Sequence, residues 1–190
     1  MKHLSERHWM IFIFLAALAL RGFALLALGL EPETFEYDTL AKNLIAGKGY
    51  QISRWGIIRY SQTSPLFPLL YAGIYALTSN SQLAVIILQM IFSALVPVVV
   101  YAIGRRMNLC PTISVTAAAL PTIHPGLIFY AVAKLHPLSL DSLLISTTML
   151  SFFKLRGHFR FRDVSIASLL FGLTLHTRPT IGLFGLLAAV

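Results

Sequence analysis

Two apolar runs, residues 9–30 and 81–103, constrain this chain more than anything else in it. At 1.5 Å per residue, the 22 residues of the first run make a helix of about 33 Å, enough to cross a hydrocarbon core ~30 Å thick. Arg21 is the one charged residue in the two runs. Composition agrees: 12% of the residues are charged and 57% hydrophobic, where a soluble domain carries about 25% charged residues. A large water-soluble core is therefore excluded, and the chain reads as all-α and polytopic in a membrane. A net charge of +8 would suggest nucleic acid in a soluble protein. Here the basic residues cluster between apolar runs, where they set membrane topology, so membrane lipids are the expected partner and nucleic acid is not. Cys110 is the single cysteine, which rules out an intrachain disulfide.

The start of the chain imitates a signal peptide, with Lys2 and Arg7 before an apolar run and Ala17-Leu18-Ala19 as a cleavage-like triplet. The run continues to Leu30, past the usual 7–15-residue apolar region, so it reads as an uncleaved first span. Arg21 inside it reads either as a side chain snorkelling to the headgroups or as a partner for a buried acid or a lipid phosphate.

Further spans are expected at 112–133, interrupted by Pro121 and Pro125, and at 138–153. Residues 164–175 are apolar but only 12 long, about 18 Å as a helix. Residues 64–79 carry Pro65 and Pro68 and read as a helix lying at the interface, and 51–63 as a polar, mixed stretch. The count is about four full spans and two short or incomplete ones, all in one membrane domain of residues 1–190. The last apolar run, 180–190, gives about 16 Å, half a bilayer, with no polar terminus behind it; the expectation is the N-terminal part of a longer protein.

With the N-terminus in the cytoplasm, eight Lys and Arg fall inside: Lys2, Arg7, Arg105, Arg106, Lys154, Arg156, Arg160 and Arg162. Lys134 and Arg178 are left in short outer turns, and Lys42, Lys48, Arg54 and Arg59 in a long loop that weighs little in the rule. The expected location is a plasma membrane of bacterial inner-membrane type, with residues 31–80 as the first outer loop. Counting 64–79 as a span would put the loop's acids on the same side as Arg105 and Arg106.

That loop is where chemistry concentrates. Four of the chain's seven acids, Glu31, Glu33, Glu36 and Asp38, sit within eight positions. Behind them Tyr37, Leu40, Ala41, Leu44 and Ile45 fall on one face of a helical period, an amphipathic helix suited to a membrane surface. Gly47 is a plausible stop. Gly47 and Gly49 follow a helix rather than precede one, so they do not make a phosphate loop.

The order of motifs has a wider echo. Glu33 stands four residues before Tyr37; Leu40-Ala41-Lys42-Asn43-Leu44 and Gly47-Lys48-Gly49-Tyr50 follow. Then come Ser64-Pro65-Leu66-Phe67-Pro68, Leu88-Gln89, Gly104-Arg105-Arg106, and Leu173-Thr174-Leu175-His176-Thr177-Arg178-Pro179. From about Arg21 onward the chain resembles polytopic glycosyltransferases of the GT-C class, the protein O-mannosyltransferases and the lipid A aminoarabinose transferases. The resemblance implies a polyprenyl-phosphate-linked sugar donor, an outward-facing site and an acid in the first outer loop. By the acid-x-x-x-Tyr spacing that acid is Glu33, where the family usually has aspartate. A second acid often lies in the turn between the third and fourth spans; here the turn reads Leu135-His136-Pro137, with His136 in its place. Family members are also considerably longer.

Sugar transfer from a lipid phosphate needs a base for the acceptor hydroxyl and cationic stabilisation of the departing phosphate. Glu33 is the candidate base, with Glu36 as the alternative, although a carboxylate in the first turn of a helix also simply favours the helix dipole. His136 could assist proton transfer or, with Glu33, hold a divalent cation; two ligands do not make a metal site, so no metal ligands are assigned and the cofactor requirement stays open. Arg178, with Arg59 as a weaker counterpart and Tyr37 beside them, is the candidate for substrate binding, since a guanidinium fork matches a phosphate. The competing expectation is a non-catalytic remnant or interaction subunit that keeps the fold. A small transporter fits less well, because most charges lie at helix ends rather than the midplane. Sugar, acceptor and oligomeric state are not encoded legibly.

Overall fold

The computed structural model describes residues 6–182 apart from 30, 35, 55, 156–159 and 179. Lys2, Arg156 and most of the 180–190 run lie outside the described residues. Along the chain come α1 (Glu6–Leu28), α2 (Glu36–Ile45), the strands β1 (Gln51–Arg54) and β2 (Ile57–Tyr60), then α3 (Leu66–Thr78), α4 (Gln82–Arg106), α5 (Pro111–Ile123), α6 (Pro125–Val132), α7 (Leu138–Leu155) and α8 (Phe161–Thr177). The architecture is all-helical apart from one antiparallel hairpin. Among the described residues α1, α4 and α7 are long and apolar enough to cross a membrane, and α5 with α6, a pair bent by 47°, is either a fourth, broken span or a re-entrant loop. Only 17% of the apolar window of α1 is buried in the protein. Phe23, Leu26 and Leu120 stand exposed, a surface that lipid accepts and water does not.

α4 is the hub, packing against α1, α5, α6 and α7. Its close approach to α5 depends on Gly104, where a Cβ would come within 2.8 Å of the Ser114 hydroxyl. The main core gathers Phe67, Tyr71, Val85, Ile86, Val132 and Leu135 where α3, α4 and the α6–α7 turn meet. α2 packs on α3 rather than standing alone. Asp38, with the polar positions by helical period, is in fact buried: Tyr75 donates its hydroxyl to it at 2.6 Å and Lys42 pairs with it at 2.8 Å. Burial, with the Asp38 carboxylate beside it, pushes the Tyr75 phenol above its ordinary range.

The bend explains Arg21. Pro125 has no N–H, so the carbonyl of Pro121 loses its i+4 partner, and His124 before it takes extended backbone (φ −62°, ψ 116°). The fully buried Arg21 guanidinium reaches the carbonyls of Pro121 and Thr122, each at 3.4 Å, while also donating to Ala17 O at 2.9 Å and Ser93 Oγ at 2.8 Å. It neither snorkels nor pairs with an acid; it closes the backbone gap that the prolines open.

Two stretches differ from their sequence reading. Residues 51–60 form a hairpin, with Gln51 opposite Tyr60 and Ile52 opposite Arg59, turning at Gly56 with φ +77°. α8 is 17 residues rather than 12, about 25 Å long, because Phe161, Arg162 and Asp163 extend it at its start and His176 and Thr177 at its end.

Candidate active site

Glu33 lies on a two-sided backbone bridge to the α6–α7 turn. Its N–H donates to Ala133 O at 2.9 Å and its carbonyl accepts from Leu135 N–H at 3.0 Å. The first long loop is thereby stitched to a turn a hundred residues away. The side chain extends outward, 66% exposed, with Lys134 Nζ 2.8 Å from Oε2. Lys134 also lies over the rings of Phe129 and Tyr130, at 5.5 and 5.6 Å from their centroids. The hydrogen bond to Glu33 raises the lysine's pKa, so Lys134 stays cationic at neutral pH.

Gln89 holds the turn from below. Its Oε1 accepts from Tyr71 Oη at 2.5 Å and from His136 N–H at 3.0 Å. Its Nε2 donates to Lys134 O at 2.9 Å and Ala131 O at 3.4 Å. Every hydrogen-bonding capacity of the buried amide is used. His136 packs edge-on against Tyr130 and Tyr37, at 5.0 and 6.2 Å between ring centroids. Its Nδ1 accepts from Leu138 N–H at 3.2 Å and caps α7, which places the neutral ring's proton on Nε2. Tyr37 also meets Phe67 edge-on at 5.5 Å.

Arg178, the residue that ends α8, donates from Nε to Asp141 Oδ2 at 3.0 Å. The Asp141 side chain is 3% exposed and that of Arg178 is 47% exposed, so the acid holds one edge of the guanidinium while the other stays accessible. Asp141 Oδ1 is buried with no hydrogen-bond partner among the described residues. The acid lies in the first turn of α7.

Glu33, Tyr37, His136 and Arg178 thus come to one end of the bundle. Burial raises the Tyr37 phenol, with Glu36 and Asp141 adding to the effect and Arg178 opposing it. Burial lowers His136, and the positive charges of Arg178 and Lys134 lower it further. Glu36 opens α2, near enough to act on Tyr37 and Tyr50 but in none of the contacts above. Arg59 is exposed on β2 opposite Ile52 and joins none of them either. No group of three or more His, Cys, Asp or Glu converges to hold a metal among the described residues. Lys134, Asp141 and Gln89 were not among the sequence candidates; of the three only Gln89 stood in a recognisable motif.

Residues 62–190 match the dolichyl-phosphate-mannose-protein mannosyltransferase family. The chain belongs to that family. No curated protein and no solved structure matches it. Membership makes the chain a mannosyltransferase-like glycosyltransferase of the GT-C class and an integral, multi-pass membrane protein, with membrane lipids and a lipid-linked sugar donor as the partners that the family implies. The matched residues include His136, Asp141 and Arg178. They begin after Glu33, Glu36, Tyr37 and Arg59, whose place in the site rests on the loop motif and on the bridge to the turn.

His136 gives a pH signature. Its folded pKa lies below the ordinary 6.5, so the unfolded chain takes up this proton first. The stability it contributes is full above about pH 6.5 and is lost as pH falls through the folded value. His136→Asn keeps a cap acceptor for Leu138 N–H and removes the titration. Thermal unfolding in detergent from pH 8 to pH 5 is expected to show a shallower acid loss in the variant than in the parent; parallel curves would exclude His136 as the source.

Proposed function

We propose that this end of the bundle transfers a sugar from a polyprenyl phosphate to an acceptor hydroxyl on the outer face of the membrane. The acceptor oxygen attacks the anomeric carbon and passes its proton to Glu33. The bond from that carbon to the phosphate oxygen breaks, and the phosphate leaves toward the open edge of Arg178. The arrangement of Glu33 carries the reading: its carboxylate is exposed, while its backbone is fixed on both sides to the turn that holds His136. A base must be reachable yet held in place. Asp141 fixes the Arg178 fork so that less freedom is lost when a phosphate binds. Both substrates are amphipathic, which suits a site at a helix-end boundary.

A second reading has its own observation. Lys134 pairs with the Glu33 carboxylate and holds the oxygen that would take the acceptor's proton, and the turn offers a histidine where the resembled enzymes often have an acid. Both features suit a polypeptide that keeps the fold without turnover.

Transfer from a polyprenyl-phosphate-linked sugar, measured in sealed vesicles, separates the two. Arg178→Lys keeps the charge that Asp141 needs but loses the planar fork. It is expected to raise the donor KM about tenfold. A cysteine introduced as Thr34→Cys should react with an impermeant reagent from the outer side; labelling from the cytosolic side alone would overturn the reading, and absence of transfer from every donor tried would favour the second one.

A further inference from the structure

Three clefts open at the other end of the bundle, away from Glu33, and Lys154 lines all of them. The widest, about 660 Å³, lies between the C-terminal ends of α4 and α7 and the start of α8, with Arg106, Lys154, Arg160 and Asp163 around it. Among the described residues three cations face one acid, and that acid is already 3.7 Å from Arg162. Arg105, adjacent in sequence, is closed by Glu6 at 2.8 Å. By contrast, no acid lies within ion-pair distance of Arg106, Lys154 or Arg160 among the described residues. Three uncompensated cations around one concavity form an anion site by Coulombic focusing.

The flanking clefts limit what the anion belongs to. One of about 310 Å³ runs between α1, α4 and α7 and is lined by Tyr101. That side chain is 0% exposed, and its hydroxyl has no hydrogen-bond partner among the described residues. Buried hydroxyls are ordinarily paired, so this donor suits an oxygen-rich ligand entering the cleft. The other, about 190 Å³, is walled by Ile166 and Leu170 of α8 against α7. The cationic mouth at the helix ends therefore adjoins, through Lys154 and Asp163, a groove whose walls are mainly the apolar Leu150, Ile166 and Leu170. A small soluble phosphate would fill the mouth and leave that groove unused.

We propose that this end binds the phosphodiester headgroup of an anionic glycerophospholipid, with the phosphate among Arg106, Lys154 and Arg160, a headgroup oxygen at the Tyr101 hydroxyl and an acyl chain in the groove between α7 and α8. The mouth lies at the ends of α4 and α7, two of the helices long and apolar enough to cross a membrane, and basic pockets between membrane helices take such lipids. The site is separate from sugar transfer and does not depend on it.

The test uses the full chain in detergent, titrated with phosphatidylglycerol, phosphatidylcholine or inorganic phosphate and read by native mass spectrometry and thermal unfolding. Phosphatidylglycerol is expected to be retained about tenfold more tightly than phosphatidylcholine. The triple variant Arg106→Gln, Lys154→Gln, Arg160→Gln should erase that preference. Tyr101→Phe, which changes no charge, should weaken retention about threefold and leave the lipid-free unfolding temperature in place. If the triple variant fails to fold, Arg160→Gln alone, exposed at the start of α8, carries the same expectation at about fivefold. Equal retention of the two lipids by the parent overturns the proposal. Protection by inorganic phosphate without protection by phosphatidylglycerol overturns the lipid as its source.

Discussion

Replacing Glu33 with glutamine is expected to lower sugar transfer by about 10²–10⁴-fold, the usual contribution of a positioned general base. The argument rests on what the substitution leaves intact. The loop is held to the turn through the backbone of Glu33, donating to Ala133 O and accepting from Leu135 N–H, and glutamine preserves both bonds. Its side-chain oxygen can still accept from Lys134. The ion pair it removes involves a carboxylate that is 66% exposed, and such pairs contribute little to stability. The unfolding temperature should therefore hold while kcat falls, with donor KM nearly unchanged. Unchanged transfer would move the proton acceptor elsewhere, with Glu36 next in line. A fall in unfolding temperature alongside activity would make the residue a structural stitch instead.

The elements were legible in the chain where one physical signal dominated. Run length gave the spans, helical period placed α2 at 37–45, and Pro121 with Pro125 marked the bend. The hairpin at 51–60 was harder. Its strands are four residues each and β2 is exposed, so alternation had little burial to report, and only Gly56 between Arg54 and Ile57 hinted at a turn. Arg21 was misread because three of its four partners are backbone carbonyls, which no side-chain pattern reveals. The site was half legible. Residue types and the acid-to-tyrosine spacing picked out Glu33 and Tyr37, but the pairing of Glu33 with Lys134 and of Arg178 with Asp141 closes over sequence separations that spacing cannot encode. His136 drew notice as a replacement for an acid, whereas the structure also gives it a capping duty that any acceptor of the right reach would meet.

Gln89→Leu is expected to destabilise the protein by about 3 kcal/mol, lowering the unfolding temperature by about 6–12 °C for a chain of this size. The volume is nearly kept, so the loss is polar. The amide is 1% exposed and serves four partners: Tyr71 Oη, His136 N–H, Lys134 O and Ala131 O. Single polar contacts between membrane helices often contribute only about 0.6 kcal/mol, because the freed groups find other partners in the membrane. That escape is limited here. Lys134 O and His136 N–H belong to a turn between helices, where no i+4 neighbour replaces the amide, and leucine takes the amide away from both. Tyr71→Phe removes one partner and keeps the other three, so it should cost about 1 kcal/mol. Combined with Gln89→Leu it should add almost nothing, since the hydroxyl it deletes is already orphaned; full additivity would show that the two residues do not share one network. Because the same turn carries the anchor of Glu33, Gln89→Leu should also reduce transfer in the fraction that remains folded, by loosening the base rather than removing it. Glu33→Gln separates activity from stability, and Gln89→Leu couples them. That contrast follows from one residue lying on the exposed side of the turn and the other beneath it.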